Sequence, residues 1–152
     1  MVRTLKGYVT VRSFNRMAIP VPVQNMILRN YSQTMGMSYA LPYGEHKYED
    51  CYMQLFATMK AIPKSGDLGI CSIFMLPINY PDLYQEFKDI VFYKKIKIHS
   101  IFEKVVIEKV VDFENVEETI KLRNIADLVD SQCLQIKSMI RPYKDDPSLI
   151  KS

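Results

Sequence analysis

Leu68-Gly69-Ile70-Cys71-Ser72-Ile73-Phe74-Met75-Leu76-Pro77 is a nearly unbroken apolar run, bounded by Ser65-Gly66-Asp67 before it and closed by Pro77. A half-exposed strand alternates polar and apolar side chains. This run has no wet face, so it predicts a strand buried on both sides, as in a parallel sheet covered by helices. It is too short to cross a bilayer. Ser72 is the only polar side chain within it, near the end where such sheets present their ligand sites.

Working outward, residues 3–12 predict a first strand, with Leu5, Gly7, Val9 and Val11 on one face and Tyr8 and Thr10 on the other. A loop, Ser13 to Val21, leads to a helix with Pro22 in its first turn, where a missing N–H costs nothing. Val23, Ile27, Tyr31 and Met35, with Met26 beside them, form its apolar stripe, and Gly36 is its stop. Ser38–Tyr43 predicts an edge strand, since Pro42 cannot donate to a ladder. A polar loop and a second helix, with Tyr52, Leu55, Phe56 and Met59 on its face, deliver the central strand.

Beyond the central strand, Pro81-Asp82 opens a third helix with core positions Leu83, Phe87, Ile90 and Val91. Residues 96–102 alternate like a fourth strand, and Val105-Val106-Ile107 extends the sheet or forms a short extra strand. Asp112 or Asn115 caps the last helical stretch, in which Val116, Ile120, Leu128, Ile136 and Ile140 recur at helical spacing; this fits one long helix or two shorter ones. The β-α-β-α-β-α-β-α order predicts a three-layer α/β fold. Its sheet has four or five mainly parallel strands and is followed by a long C-terminal helix. A single domain over 1–140 and a loose tail over 141–152 are expected.

Of 152 residues, 20 are basic and 17 acidic, a net charge of +3 that is too mild to argue for nucleic acid. Three cysteines without CxxC spacing and only two histidines disfavour a disulfide framework and a zinc site. The first residues lead directly into a strand pattern, so a cytoplasmic protein without membrane insertion is expected. No phosphate-loop, zincin or nucleophile-elbow motif occurs, and no metal or cofactor is implied.

The opening Gly7-Tyr8-Val9-Thr10-Val11-Arg12-Ser13 resembles the start of the serine recombinase (resolvase) catalytic domain. In that family such a strand ends in a catalytic serine before a helix. The likeness covers roughly residues 6 to 128 in element order. It departs at the chemistry. Thr10 and the loop Met75-Leu76-Pro77-Ile78-Asn79 stand where the family has arginines, and Ser13 is displaced by one residue. The resemblance therefore implies the fold without strand cleavage. A second resemblance, to the sporadic carbohydrate cluster proteins of bacterial surface-polysaccharide loci, rests on four segments. They are Met1–Tyr8, Val23-Gln24-Asn25, Cys51-Tyr52-Met53 and Ser72–Pro77. It implies a sugar-pathway setting and no mechanism.

A resolvase-like or flavodoxin-like fold implies the strand order 2-1-3-4(-5), which reverses between strands 1 and 3 and opens a crevice at their C-terminal ends. Arg12, Ser13, Asn15 and Arg16 fall on one side, and Ser72, Met75 and Asn79 on the other. The helix starting at Pro22 points its N-terminus there, and Arg12 beside it suits a phosphate or carboxylate. Tyr43 and Tyr48 are candidate walls. Ser13 is a candidate nucleophile, Glu45 with His46 and Glu103 are candidate acids or bases, and Cys51 opens a helix that would stabilise a thiolate. These residues point first to a protein that binds, and acts on, a phosphorylated or nucleotide-activated sugar. The second reading is a non-catalytic, homodimeric interaction module on a recombinase-like scaffold. A degenerate nucleic-acid binder ranks last.

Overall fold

The computed structural model describes residues 2–45, 48 and 50–144, with side chains to residue 139. Five strands form one sheet in the order β2-β1-β3-β4-β5: β1 Thr4–Gly7, β2 Ser38–Ala40, β3 Asp67–Ile70, β4 Lys97–Ser100 and β5 Val105–Ile107. The first four pair in parallel; β5 returns antiparallel to β4, with Ile98 opposite Ile107. The helices are α1 Val21–Thr34, α2 Met53–Ala61, α3 Pro81–Lys94 and α4 Val110–Lys144. The expected α/β order therefore holds, with β2 at the edge. The chain divides into two compact units, Met1–Glu114 and Asn115–Ser152, and α4 runs through the division.

The core of the first unit is built on β3, all four of whose residues are buried. Gly69 is there for space: a Cβ would come within 2.9 Å of Leu5 Cδ2 and 3.2 Å of Leu28 Cδ2. Leu5, Leu28, Leu55, Leu68, Ile70, Phe87, Val91 and Ile98 are fully buried around it. Phe113, in the first turn of α4, meets Tyr84, Phe87 and Phe92 of α3 edge-on.

Several boundaries differ from expectation. The apolar run is not one strand. The ladder ends at Ile70, and Ile73–Met75 form a single 3-10 turn capped by Ser72, whose Oγ accepts from Phe74 N at 3.3 Å. A buried turn is as apolar as a buried strand, so hydropathy cannot separate them. β1 is shorter than residues 3–12. After Tyr8 N donates to Gly69 O (2.9 Å), the side-chain amide of Gln24 replaces a neighbouring strand. Gln24 Oε1 accepts from Thr10 N (3.2 Å), and its Nε2 donates to Thr10 O (2.7 Å).

The stripe assigned to α1 is also corrected. Val23, Met26 and Met35 are exposed, Ile27 and Tyr31 are half-buried, and the buried line is Gln24, Leu28 and Ser32. Gln24 and Ser32 tolerate burial because each is hydrogen-bonded, Ser32 Oγ to Arg29 O at 2.7 Å. Gly36, at φ 70°, takes the left-handed stop that the sequence predicts. β2 covers three residues rather than six, and β4 four rather than seven. The last helical stretch is one 35-residue helix. Asp112, not Asn115, serves its start, accepting from Glu108 N and Lys109 N at 3.1 and 2.9 Å. Residues 141–144 belong to that helix, and the rest of the expected tail lies outside the described residues. No described helix is long and apolar enough to cross a membrane.

Candidate functional site

Where β1 and β3 end, side by side, a hollow of about 420 Å³ opens, a size suited to a small ligand. Its walls are Thr10, Arg12, Ser13 and Phe14 from the segment after β1, and Phe74, Met75, Leu76, Asn79 and Tyr80 from the segment after β3. Tyr52, just before α2, completes the lining. Thus four of the expected residues, Arg12, Ser13, Met75 and Asn79, share one cavity.

Arg12 is held on several sides. Its Nε donates to Thr10 Oγ1 (3.1 Å), one terminal nitrogen to Cys51 O (2.7 Å) and the other to the Tyr8 hydroxyl (2.8 Å). Its guanidinium carbon lies 4.0 Å from the centre of the Tyr52 ring, a cation–π stack. Tyr8, fully buried, donates in turn to Glu45 Oε2 at 3.0 Å. Burial pushes the Tyr8 hydroxyl pKa far up; Arg12 opposes the shift and Glu45 adds to it. Tyr52 is shifted up as well, chiefly by burial.

Glu45 lies beneath this arrangement, not on a solvated rim. It is buried and caps α2, accepting from Gln54 N at 3.0 Å, Leu55 N at 3.3 Å and the Cys51 thiol at 3.4 Å. A carboxylate at a helix N-terminus is stabilised by the unpaired amides and the dipole there. Glu103 is also enclosed by donors. It takes the Ser72 hydroxyl at 2.6 Å, Ile73 N at 3.2 Å and the Ser100 hydroxyl, which clasps the loop after β4 to the end of β3. Ser72 is therefore committed to Glu103 and to its capping bond, and none of Ser72, Glu45 and Glu103 lines the hollow.

Asn15 and Arg16 form the tip of a two-residue turn, with φ 49° and 61°, closed by mutual backbone bonds between Phe14 and Met17 at 2.9 Å. They do not line the cavity, and no α1 residue does, so the anion site expected at that helix N-terminus is not part of it. Tyr43 is 84% exposed beside a separate hollow of about 170 Å³ with Lys6, Pro42 and Gln54. Tyr48 is exposed, and His46 lies outside the described residues. Ser13 is exposed at the mouth, and His99 is engaged elsewhere, by Asp67 and Tyr31. Among the described residues no cluster of His, Cys, Asp or Glu is set to hold a metal ion. Cys71 is buried, its pKa pushed up to about 12 by burial and then by Glu103.

Phe14, Phe74 and Leu76 also line the hollow, from the two stretches expected there, and Thr10 joins them; Tyr52 and Tyr80 line it without having been expected from sequence. Ten tyrosines and seven phenylalanines give no signal for which ring reaches a cavity.

No family model matches this chain, so the carbohydrate-cluster resemblance gains no support there, and no curated protein matches it. Among solved structures, the N-terminal catalytic domain of TP901-1 integrase, a serine recombinase domain, is similar. The TM-score is 0.58 at 13% identity, over 84% of this chain and 99% of that one. The likeness establishes a resolvase-like fold.

Proposed function

We propose that this chain is an interaction module on a recombinase-like scaffold, without strand-cleaving chemistry, that pairs with a second copy of itself through α4. The observation that carries the reading is a run of exposed apolar residues along that helix. Leu122, Ile125, Val129, Gln132, Ile136 and Met139 follow one another at steps of three and four, and the five apolar members are 49–74% exposed. An isolated helix gains nothing from such a seam, whereas two copies bury it against each other, and one polar Gln132 selects register. The loss of strand-cleaving chemistry fits the same reading. Arg12, in the segment after β1, stands in place of a nucleophile, tied to Tyr8, Thr10 and Cys51. The test is light scattering on the full chain: twice the 17.7 kDa chain mass is expected. The doubly substituted Ile125→Asp, Val129→Asp chain is expected at the single mass. A wild-type monomer at high protein concentration would refute pairing, and supercoiled-plasmid cleavage would refute the loss of chemistry.

A second reading places a phosphorylated or nucleotide-activated sugar in the crevice. It is supported by Arg12 stacked on Tyr52 in a hollow that also holds Ser13, Asn79 and Tyr80. Calorimetric titration with sugar phosphates is expected to show binding that Arg12→Ala abolishes; equal binding by both forms removes this site.

A further inference from the structure

Another chain of hydrogen bonds, which the proposed function does not use, joins four side chains away from the crevice. Asp67 opens β3, His99 lies in β4, Tyr31 lies on α1 and Arg3 precedes β1. Asp67 and His99 are 2% and 4% exposed. Arg3 forks onto Asp67, with Nε 3.0 Å from Oδ2 and a terminal nitrogen on Oδ1. His99 Nε2 lies 2.8 Å from Asp67 Oδ1, and His99 Nδ1 lies 2.8 Å from the Tyr31 hydroxyl. A carboxylate only accepts, so Nε2 carries the proton that faces Asp67. Nδ1 of the neutral ring is then the acceptor, and Tyr31 donates to it.

The order is hydroxyl, imidazole, carboxylate. Both links fall within the hydrogen-bond reach that marks a nucleophile, its base and the group that orients the base. Tyr31 is half-buried while His99 and Asp67 are buried, so of these three residues Tyr31 is the one nearest solvent. Burial and then the Asp67 charge push the Tyr31 pKa up, and Arg3 opposes them. A phenol held neutral in this way reacts only if a base takes its proton as the bond forms, and Nδ1 is in place to do so.

We propose that Tyr31 is a nucleophile that takes the acyl group of a small activated ester, with His99 as its base and Asp67 as the positioning residue behind His99. An uncharged carbonyl carbon is the electrophile that fits. Phosphoryl transfer spreads negative charge over three oxygens and calls for several cations, whereas this cluster holds a single guanidinium that is already shared with Asp67. In the step, the bond from Tyr31 Oη to the carbonyl carbon forms and the bond to the leaving oxygen breaks. The phenolic proton passes to Nδ1, charging the imidazole against Asp67, and then to the departing oxygen. Water, deprotonated by Nδ1, next attacks the acyl-tyrosine; the carboxylic acid leaves and the phenol is restored.

The test incubates the full chain with p-nitrophenyl acetate, follows p-nitrophenolate and maps the acetyl group by mass spectrometry. Tyr31 is expected to acetylate about a hundred-fold faster than the exposed Tyr43 and Tyr93. His99→Gln is expected to lower the Tyr31 rate to theirs, and Tyr31→Phe to remove the initial burst. Acetylation of Tyr31 at the same rate in His99→Gln, or no faster than Tyr43 in the wild type, overturns the proposal. The comparison with Tyr43 and Tyr93 decides the matter even if His99→Gln does not fold, and Tyr31→Phe removes only one half-buried hydroxyl.

Discussion

Gln24 shows how one side chain redirects a backbone. Its amide meets both polar groups of Thr10 and also donates to Ile19 O at 2.7 Å, so the segment after β1 leaves the sheet with its hydrogen bonds made. Glu45 does comparable work below the crevice, where one carboxylate answers two backbone amides, a thiol and a buried phenol. Glu45→Ala is expected to destabilise the fold by about 2–4 kcal/mol, because it strands buried donors. Urea unfolding measures this, and a loss under about 0.5 kcal/mol, the range of a surface substitution, would contradict this role for Glu45. Gly69→Ala is expected to cost about 1–3 kcal/mol by overpacking against Leu5 and Leu28, read as a lower unfolding midpoint with an unchanged m-value.

At the level of elements, α2 is fastened at both ends by side chains from other segments. Glu45 holds its N-terminus. Lys94, on α3, donates to the carbonyls of Met59 and Ile62 at 3.0 and 2.9 Å and to that of Lys60, which satisfies the last turn. Lys94→Met keeps the aliphatic stem and removes these bonds. The expected loss is about 1–3 kcal/mol, with hydrogen exchange accelerated chiefly in residues 58–62; uniform acceleration across the sheet would contradict a local role. The 3-10 turn after β3 is likewise fixed by a neighbour, since Glu103 binds both Ser72 and Ile73 N.

For the whole molecule, buried protonated groups set the alkaline limit. Cys71 rises from 9.0 to about 12, and the Tyr8 hydroxyl rises well above its ordinary 10.0. Raised folded-state values mean that these groups ionise first in the unfolded chain. Their contribution is complete below pH of about 9 and is lost as pH climbs towards the folded values. Each group steepens the decline by about 1.4 kcal/mol per pH unit once its unfolded form ionises. Urea midpoints measured from neutral to strongly alkaline pH are expected to fall in this way, and Tyr8→Phe to flatten the slope above its ordinary value; a flat wild-type profile would refute the assignment.

The linear sequence determined the element order, the parallel sheet with β2 at its edge and the Gly36 stop, because periodicity, proline and glycine act locally. It also marked Arg12, Ser13, Met75 and Asn79 as neighbours, since they follow strands that a 2-1-3 order sets side by side. Tertiary structure decided the rest. Whether Ile73–Met75 is strand or turn depends on Glu103, thirty residues away, and the buried line of α1 depends on Gln24 finding Thr10. The roles of Glu45 and Glu103 were invisible in sequence for the same reason: a carboxylate in a polar loop reads as solvated until the amides and hydroxyls that surround it are known. The Tyr31–His99–Asp67 chain is assembled from α1, β4 and β3, and no spacing along the sequence announces a contact made only when a helix packs across two strands.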